Sequence, residues 1–296
     1  MQKKTFPILL MTMTLVFMLT TGGATSVRVS YLGPAGTYTE EAAQFFFQNG
    51  ETLNPKDTVE KAIADVLSGE ADFAVIPQEN TVGGAVVAYV DALIGAEEVF
   101  VAGEVVLPIS QTLMGLPGAA LSDIRTVCSH IQGLTQSARW RAENLPDAET
   151  VEMSSTAAAA SYVAETGDKS VAAVAAPGAA PLYGLQVLAE NVQITDANKT
   201  RFYVLSRNMP EEEGLPRALF LVTCEANKID DLIVELHHAG LELVTIHDRP
   251  EGSQLGTYHY EIEVESEEGI SREQIDLICS WEGVRYAGSF RMIEKK

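Results

Sequence analysis

From residue 27 to residue 206 the chain alternates short strand-like runs with stretches of helical periodicity. That rhythm restricts it to βαβ units built on mostly parallel sheets. Strands are expected at 27–32, 72–76, 99–107, 124–128, 149–152 and 170–175, and a last one opens at Arg201. Helical patterns occupy 39–48, 57–67, 86–94, 133–143, 156–165 and 179–183. The rhythm stops at Arg207-Asn208-Met209-Pro210-Glu211-Glu212-Glu213-Gly214-Leu215-Pro216, where two prolines, a glycine and three consecutive acids read as a linker, 207–216. Beyond it, strand 218–224, helix 229–238, strands 241–247 and 257–264, helix 272–278 and strand 284–292 spell a ferredoxin-like βαββαβ unit, 217–296. A chain of 296 residues has room for both units, each with its own core.

The chain is acidic, with 41 Asp and Glu against 20 Lys and Arg and a net charge of -21. Such a surface repels phosphate backbones and anionic lipid, so nucleic acid is not an expected partner. It also repels an anionic substrate at long range, so a site for a small acid must concentrate its positive field locally. Residues 1–24 carry Lys3 and Lys4, an uncharged run over 5–21, then Gly22-Gly23-Ala24. That is the layout of a secretory signal peptide cleaved after Ala24, with an apolar run too short for a comfortable membrane span. The alternative is a start at Met11, Met13 or Met18, which leaves a short leader on a cytoplasmic protein. Cys128, Cys224 and Cys279 are odd in number and widely spaced, which fits neither a disulfide framework nor a zinc motif. His237, His238, His247 and His259 lack metal-ligand spacing and read as surface or packing residues, so no metal is expected.

Five polar clusters fall at strand-to-helix junctions or strand ends. Gly33-Pro34-Ala35-Gly36-Thr37-Tyr38-Thr39-Glu40 follows the first strand with capping-box spacing between Thr37 and Glu40, so free backbone N–H groups should point out of the turn. Pro77-Gln78-Glu79-Asn80-Thr81, Ser129-His130-Ile131-Gln132 and Ser154-Ser155-Thr156 repeat the placement with neutral donors. Asn198-Lys199-Thr200-Arg201-Phe202 sets a hydroxyl beside a guanidinium fork and an apolar ring, which suits a small acid that also carries a hydroxyl to be lost. Taken singly, each cluster equally describes an ordinary cap or a strand start with an exposed Arg. There is no P-loop, no G-x-G-x-x-G fingerprint and no His-Glu-x-x-His helix.

In that order and at those spacings, the five motifs resemble prephenate dehydratase, and the resemblance runs from Val27 to the C-terminus. It implies a two-lobed catalytic domain over 27–206, like a type II periplasmic binding protein, with one lobe at about 27–102 plus 189–206 and the other at 103–188. The C-terminal unit is similar to the ACT module, a small-molecule sensor. The implied reaction takes carbon dioxide and the ring hydroxide from prephenate to give phenylpyruvate, on the route to phenylalanine, without a cofactor. The resemblance makes Thr200 the proton or hydrogen-bond donor to the departing hydroxide. Arg201 either anchors a substrate carboxylate or holds the site's geometry, with Phe202 packed behind it. Thr37, Asn80, Thr81, Ser129, Gln132, Ser155 and Thr156 are the implied substrate-binding residues.

Several positions depart from the family pattern: Gln78 stands where Ile is common, Ile131 where Pro is, and Gly133 where Ala is. Asn227-Lys228-Ile229 and His247-Asp248-Arg249-Pro250 occupy the places of the Gly-Ala-Leu and Glu-Ser-Arg-Pro motifs that form the phenylalanine pocket at a dimer interface. The resemblance therefore carries the fold further than it carries feedback control. It also implies a homodimer or homotetramer. Two alternatives stay open at this level: an arogenate dehydratase, which performs the same elimination on the transaminated side chain, and an exported small-acid-binding protein without catalysis.

Overall fold

The computed structural model describes residues 26–195, 197–209 and 212–296. The leader expected at 1–24 lies outside them, as do Pro210 and Glu211 of the linker. The first lobe contains β1 (Arg28–Leu32), α1 (Tyr38–Phe46), β2 (Thr52–Lys56), α2 (Val59–Ser68), β3 (Phe73–Asn80), the short β4 (Gly84–Ala85), α3 (Val87–Ile94) and β5 (Phe100–Pro108). The second lobe contains β6 (Thr112–Gly115), β7 (Thr126–Ser129), α4 (Ile131–Gln136), α5 (Ala138–Asn144), β8 (Glu149–Glu152), α6 (Thr156–Thr166), β9 (Val171–Ala175), α7 (Ala179–Leu182) and β10 (Gln186–Ala189). The chain then returns to the first lobe through β11 (Lys199–Ser206). The C-terminal unit follows as β12 (Arg217–Glu225), α8 (Ile229–His238), β13 (Glu242–Pro250), β14 (Thr257–Glu265), α9 (Arg272–Cys279), β15 (Val284–Phe290) and a last short β16 (Met292–Glu294).

The strands form three sheets. The first runs β16-β5-β11-β3-β1-β2 with β4 beside β3, the second β10-β6-β9-β7-β8, and the third β13-β14-β12-β15. Every pair in the third is antiparallel, the ferredoxin-like arrangement expected from the βαββαβ order. Two α/β lobes followed by this unit are the fold class that the rhythm of strands and helices calls for.

Several boundaries differ from expectation. β5 continues to Pro108 in the first sheet, so the chain leaves the first lobe after 108, not at 102. β2 contains Pro55, which obscured it as a strand; it lies at the sheet edge, where a missing N–H is tolerated. β6 and β10, four residues each, are not among the strands expected from the sequence. The helix expected over 133–143 is two helices, because the Ser137 hydroxyl donates to the Gly133 carbonyl at 2.7 Å and ends α4.

The C-terminal sheet is covered on both faces. Phe220, Ile262 and Val264 pack under Leu232 and Leu236 of α8 and Ile275 and Ile278 of α9. On the other face, Leu219, Leu221, Ala287 and Phe290 join Ile76, Val101, Tyr203 and Leu205 of the first lobe in one continuous core. Gly288, at φ +127°, allows this seam: a Cβ there would stand 2.3 Å from the Val101 carbonyl oxygen.

Candidate active site

The two lobes face each other across a cavity of about 610 Å³. The first lobe lines it with Thr37, Tyr38, Thr39 and Asn80, the second with His130, Gln132, Ser155 and Thr156, and the returning strand β11 adds Thr200. Strand pairing sets the centre of this wall. Antiparallel register places Thr200 directly opposite Asn80, and the Asn80 Nδ2 donates to Thr200 Oγ1 at 2.8 Å. The orientation of that amide is fixed by its other end, because Asn80 Oδ1 accepts from the backbone N–H groups of Val82 at 2.9 Å and Gly83 at 3.1 Å. Thr200 Oγ1 is therefore an acceptor toward Asn80, which leaves its own proton to be donated elsewhere.

Among the described residues, no lysine or arginine lines the cavity. The positive field comes from helix ends. Thr37 caps α1 by accepting from the Glu40 N–H, and Ser155 caps α6 by accepting from the Ala158 N–H at 2.9 Å. Unpaired N–H groups in the first turns of these helices are ready partners for a carboxylate. Asp57, an acid on the wall, is paired with Lys61 at 2.7 Å. Glu40 reaches back to the Gly36 N–H and accepts from the Tyr31 hydroxyl, so its charge stays outside the cavity wall.

Arg201 is elsewhere. Consecutive residues of a strand point to opposite faces, and with Thr200 toward the cavity the guanidinium passes to the far side of the sheet. There Nε donates to Glu104 at 2.5 Å, Nη1 to Glu79 at 3.3 Å and Nη2 to Glu263 of β14. Arg217 completes the cluster, donating to Glu104 at 2.6 Å and to Glu263 at 2.9 Å. Burial alone would weaken the proton affinity of Arg201; the Tyr203 hydroxyl, Glu263 and Glu104 reverse this and hold the guanidinium charged above its ordinary value. Of the two roles implied for Arg201, this geometry matches holding the site rather than anchoring a carboxylate. Phe202 is buried in the first lobe's core.

Two further residues are also used up by scaffolding. Thr81 Oγ1 donates to the Ala197 carbonyl and accepts from the Lys199 N–H, clamping β3 to the start of β11. Ser129 is fully buried and donates to the Val174 carbonyl at 2.6 Å. Thr37, Asn80, Gln132, Ser155, Thr156 and Thr200 do meet in one cavity, and His130 joins them. The His130 Nδ1 accepts from the Gln132 N–H, which leaves Nε2 to carry the proton in the neutral ring.

A family model for prephenate dehydratase matches residues 29–210. The prephenate dehydratase of Amycolatopsis methanolica is 37% identical over 272 residues, covering 89% of this chain and 88% of that one. Among solved structures, prephenate dehydratase from Arthrobacter aurescens in complex with L-Phe superposes with a TM-score of 0.80 at 32% identity, over 90% of each chain. GqqA, described as a novel type of quorum quenching acylase, superposes with a TM-score of 0.79 at 26% identity, over 90% of this chain and 98% of that one. The chain belongs to the prephenate dehydratase family. It is a lyase that decarboxylates and dehydrates prephenate.

The residues at the positions of the two phenylalanine motifs are spread along the C-terminal unit, with Asn227 and Lys228 at adjoining cavities. Asn227 borders a cavity with Gln254, Leu255 and Gly256, and Lys228 borders another with Trp281 and Val284. Ile229 opens α8. On β13, Arg249 forms a two-point ion pair with Asp91 of α3 at 2.6 and 3.1 Å, so it ties the C-terminal unit to the first lobe. Burial lowers the proton affinity of His247, whose Nε2 is buried and unpartnered among the described residues, while Asp248 and Pro250 continue the strand. No group of three or more His, Cys, Asp or Glu among the described residues could hold a metal ion.

Proposed function

We propose that Thr200 donates to the ring hydroxyl of prephenate as it departs, and that the helix ends of α1 and α6 hold the substrate's carboxylates. As the bond from the ring to its carboxylate carbon breaks, that electron pair enters the ring, carbon dioxide leaves, and the C–O bond opposite breaks with its electrons on oxygen. The departing hydroxide needs a hydrogen bond or a proton at that moment, and leaves as water once it gains one. The single observation that carries this reading is the Asn80–Thr200 contact, in which Thr200 accepts and so keeps its own proton to donate to another group. A threonine hydroxyl is a poor free acid, so it acts as a positioned donor, with a proton relayed through it from a neighbour or solvent.

The side chain is read as a keto acid. Rates on prephenate and arogenate, followed by phenylpyruvate and phenylalanine formation, test this; turnover of arogenate but not prephenate rejects it. We further propose that phenylalanine binds the ACT-like C-terminal unit where two copies pair. The Arthrobacter aurescens protein in complex with L-Phe supports an effector of that kind. The test is molecular size and rate measured with and without phenylalanine, and neither changing rejects feedback control.

A further inference from the structure

Between the first-lobe sheet and the C-terminal sheet lie three carboxyl side chains, Glu104, Glu261 and Glu263, all with no exposed surface. Two guanidiniums serve them: Arg201 and Arg217 each contact both Glu104 and Glu263. The same two cations also reach Glu79 and Glu265 at the edge of the seam, so the acids outnumber them, and Glu261 has no ion-pair partner among the described residues. What it meets is Gln78 of β3, whose Nε2 donates to Glu261 Oε1. The remaining atoms of this pair, Gln78 Oε1 and Glu261 Oε2, are both buried without a hydrogen-bond partner. Two buried acceptors left over in one hydrogen-bonded pair cost free energy that a shared proton removes.

We propose that Glu261 keeps its proton in the folded protein and closes a neutral acid–amide ring with Gln78, making the seam between the catalytic lobe and the C-terminal unit a proton-dependent latch. In that ring Gln78 Nε2–H donates to Glu261 Oε1, and Glu261 Oε2–H donates to Gln78 Oε1. Every polar atom of the pair then has a partner.

The surroundings agree. On β14 itself, Glu263 lies two residues along on the same face and repels a second negative charge. From β13, His247 sits opposite Glu261 in register with its proton affinity lowered by burial, and Thr245 adds only a hydroxyl. From the first lobe, β3 adds the acid Glu79, β11 the cation Arg201 and the hydroxyl of Tyr203, which donates to Glu263, and β5 the acid Glu104. β12 contributes Arg217, already held by Glu104, Glu263 and Glu265. At the seam's rim the Arg249–Asp91 pair neutralises itself. Burial, then Glu263 and Glu79, raises the Glu261 carboxyl from its ordinary range to about 8, with Arg201 and the Tyr203 hydroxyl opposing, and burial and Glu104 push the Glu263 carboxyl up as well.

The pH dependence follows in sign. Below the unfolded value of about 4.3 both folded and unfolded chains carry the proton. From there up to about 8 the unfolded chain ionises while the folded one does not, so the folded state loses ground as pH rises, and above that range the difference is constant. Glu261→Gln keeps a donor and an acceptor facing Gln78 and removes the ionisation.

Infrared spectra of the full chain at pH 6 and 7, with and without Glu261→Gln, test the protonation directly and use no substrate, so the outcome is independent of the dehydratase reading. Expected is a protonated-carboxyl stretch in the wild type that Glu261→Gln lacks and that fades as pH passes through 8. In parallel, the thermal midpoint of Glu261→Gln should gain on the wild type between pH 5 and 8 and hold its lead above. Should that variant fold poorly, Gln78→Ile serves instead: it removes the acceptor for the acid proton, and the stretch shifts without vanishing. Wild-type spectra at pH 6 without a band that either variant alters would overturn the proposal.

Discussion

Replacing Arg201 with Ala separates its two candidate roles. The Arg201 side chain is 15% exposed and meets Glu104 at 2.5 Å, Glu79 at 3.3 Å and Glu263 in the seam. Its removal leaves Glu104 and Glu263, both without exposed surface, to share Arg217. Breaking a buried ion pair by deleting one partner costs about 3–5 kcal/mol, because the residual charge stays desolvated. Arg217 tempers that cost while the second orphaned carboxylate adds to it, so about 4 kcal/mol is expected, a large share of the roughly 5–15 kcal/mol that holds most proteins folded. For domains of this size the unfolding midpoint should fall by roughly 8–16 °C. Calorimetry at pH 7 reads that loss, and steady-state kinetics well below the lowered midpoint read the active site. Arg201→Lys restores the charge without the fork and should recover part of the midpoint. An Arg201→Ala protein with an unchanged midpoint and a KM raised a hundredfold would refute the reasoning and put the guanidinium on the substrate.

Thr200→Ala should lower kcat by about 10²–10³, the usual effect of removing one donor to developing negative charge, with KM within a few-fold and Thr200→Ser largely rescuing the rate. Asn80→Asp keeps the acceptor for the Val82 and Gly83 N–H groups but cannot donate to Thr200, so the hydroxyl turns toward it and kcat should drop about 10- to 100-fold; an unaltered kcat would remove Asn80 from the arrangement. Gly288→Ala should destabilise the chain by about 1–3 kcal/mol in chemical denaturation, since its Cβ meets the Val101 carbonyl in a seam with no slack. Residues 1–30 fused to a reporter active only outside the cytoplasm should give signal if the leader exports, and silence would favour an internal start.

Much of the architecture is legible in the residues because burial imposes periodicity. The βαβ rhythm and the βαββαβ unit follow from apolar spacing alone, and the capping hydroxyls of Thr37 and Ser155 mark their helix starts locally. Arg201 shows where motif reading falls short and what signal was available. Adjacent strand residues cannot both enter one cleft, so Thr200 in the cavity already sends Arg201 to the opposite face. The carboxylates that receive it leave a trace as well: Glu261 and Glu263 alternate with the core residues Tyr260, Ile262 and Val264, and Glu104 interrupts an apolar strand. Only the docking of one sheet on the other, a long-range event with no local pattern, turns those acids into buried partners. Ser129 and Thr81 misled for a related reason, since a hydroxyl at a strand end serves the backbone as readily as a ligand.

Strand β16 changes what it means to call the first lobe a unit. Met292–Glu294 lies parallel to β5 as the outermost strand of the first sheet, with Lys295 reaching Glu41 and Glu294 reaching Lys199. A ribosome delivers that strand after every other strand of its sheet, so during synthesis β5 waits with an open hydrogen-bonding edge while the whole C-terminal unit is made. An uncovered edge is a template for pairing with other chains. Cutting the protein at its linker would recreate that state permanently, and the excised catalytic piece is expected to self-associate through β5 even where its active-site cavity is intact.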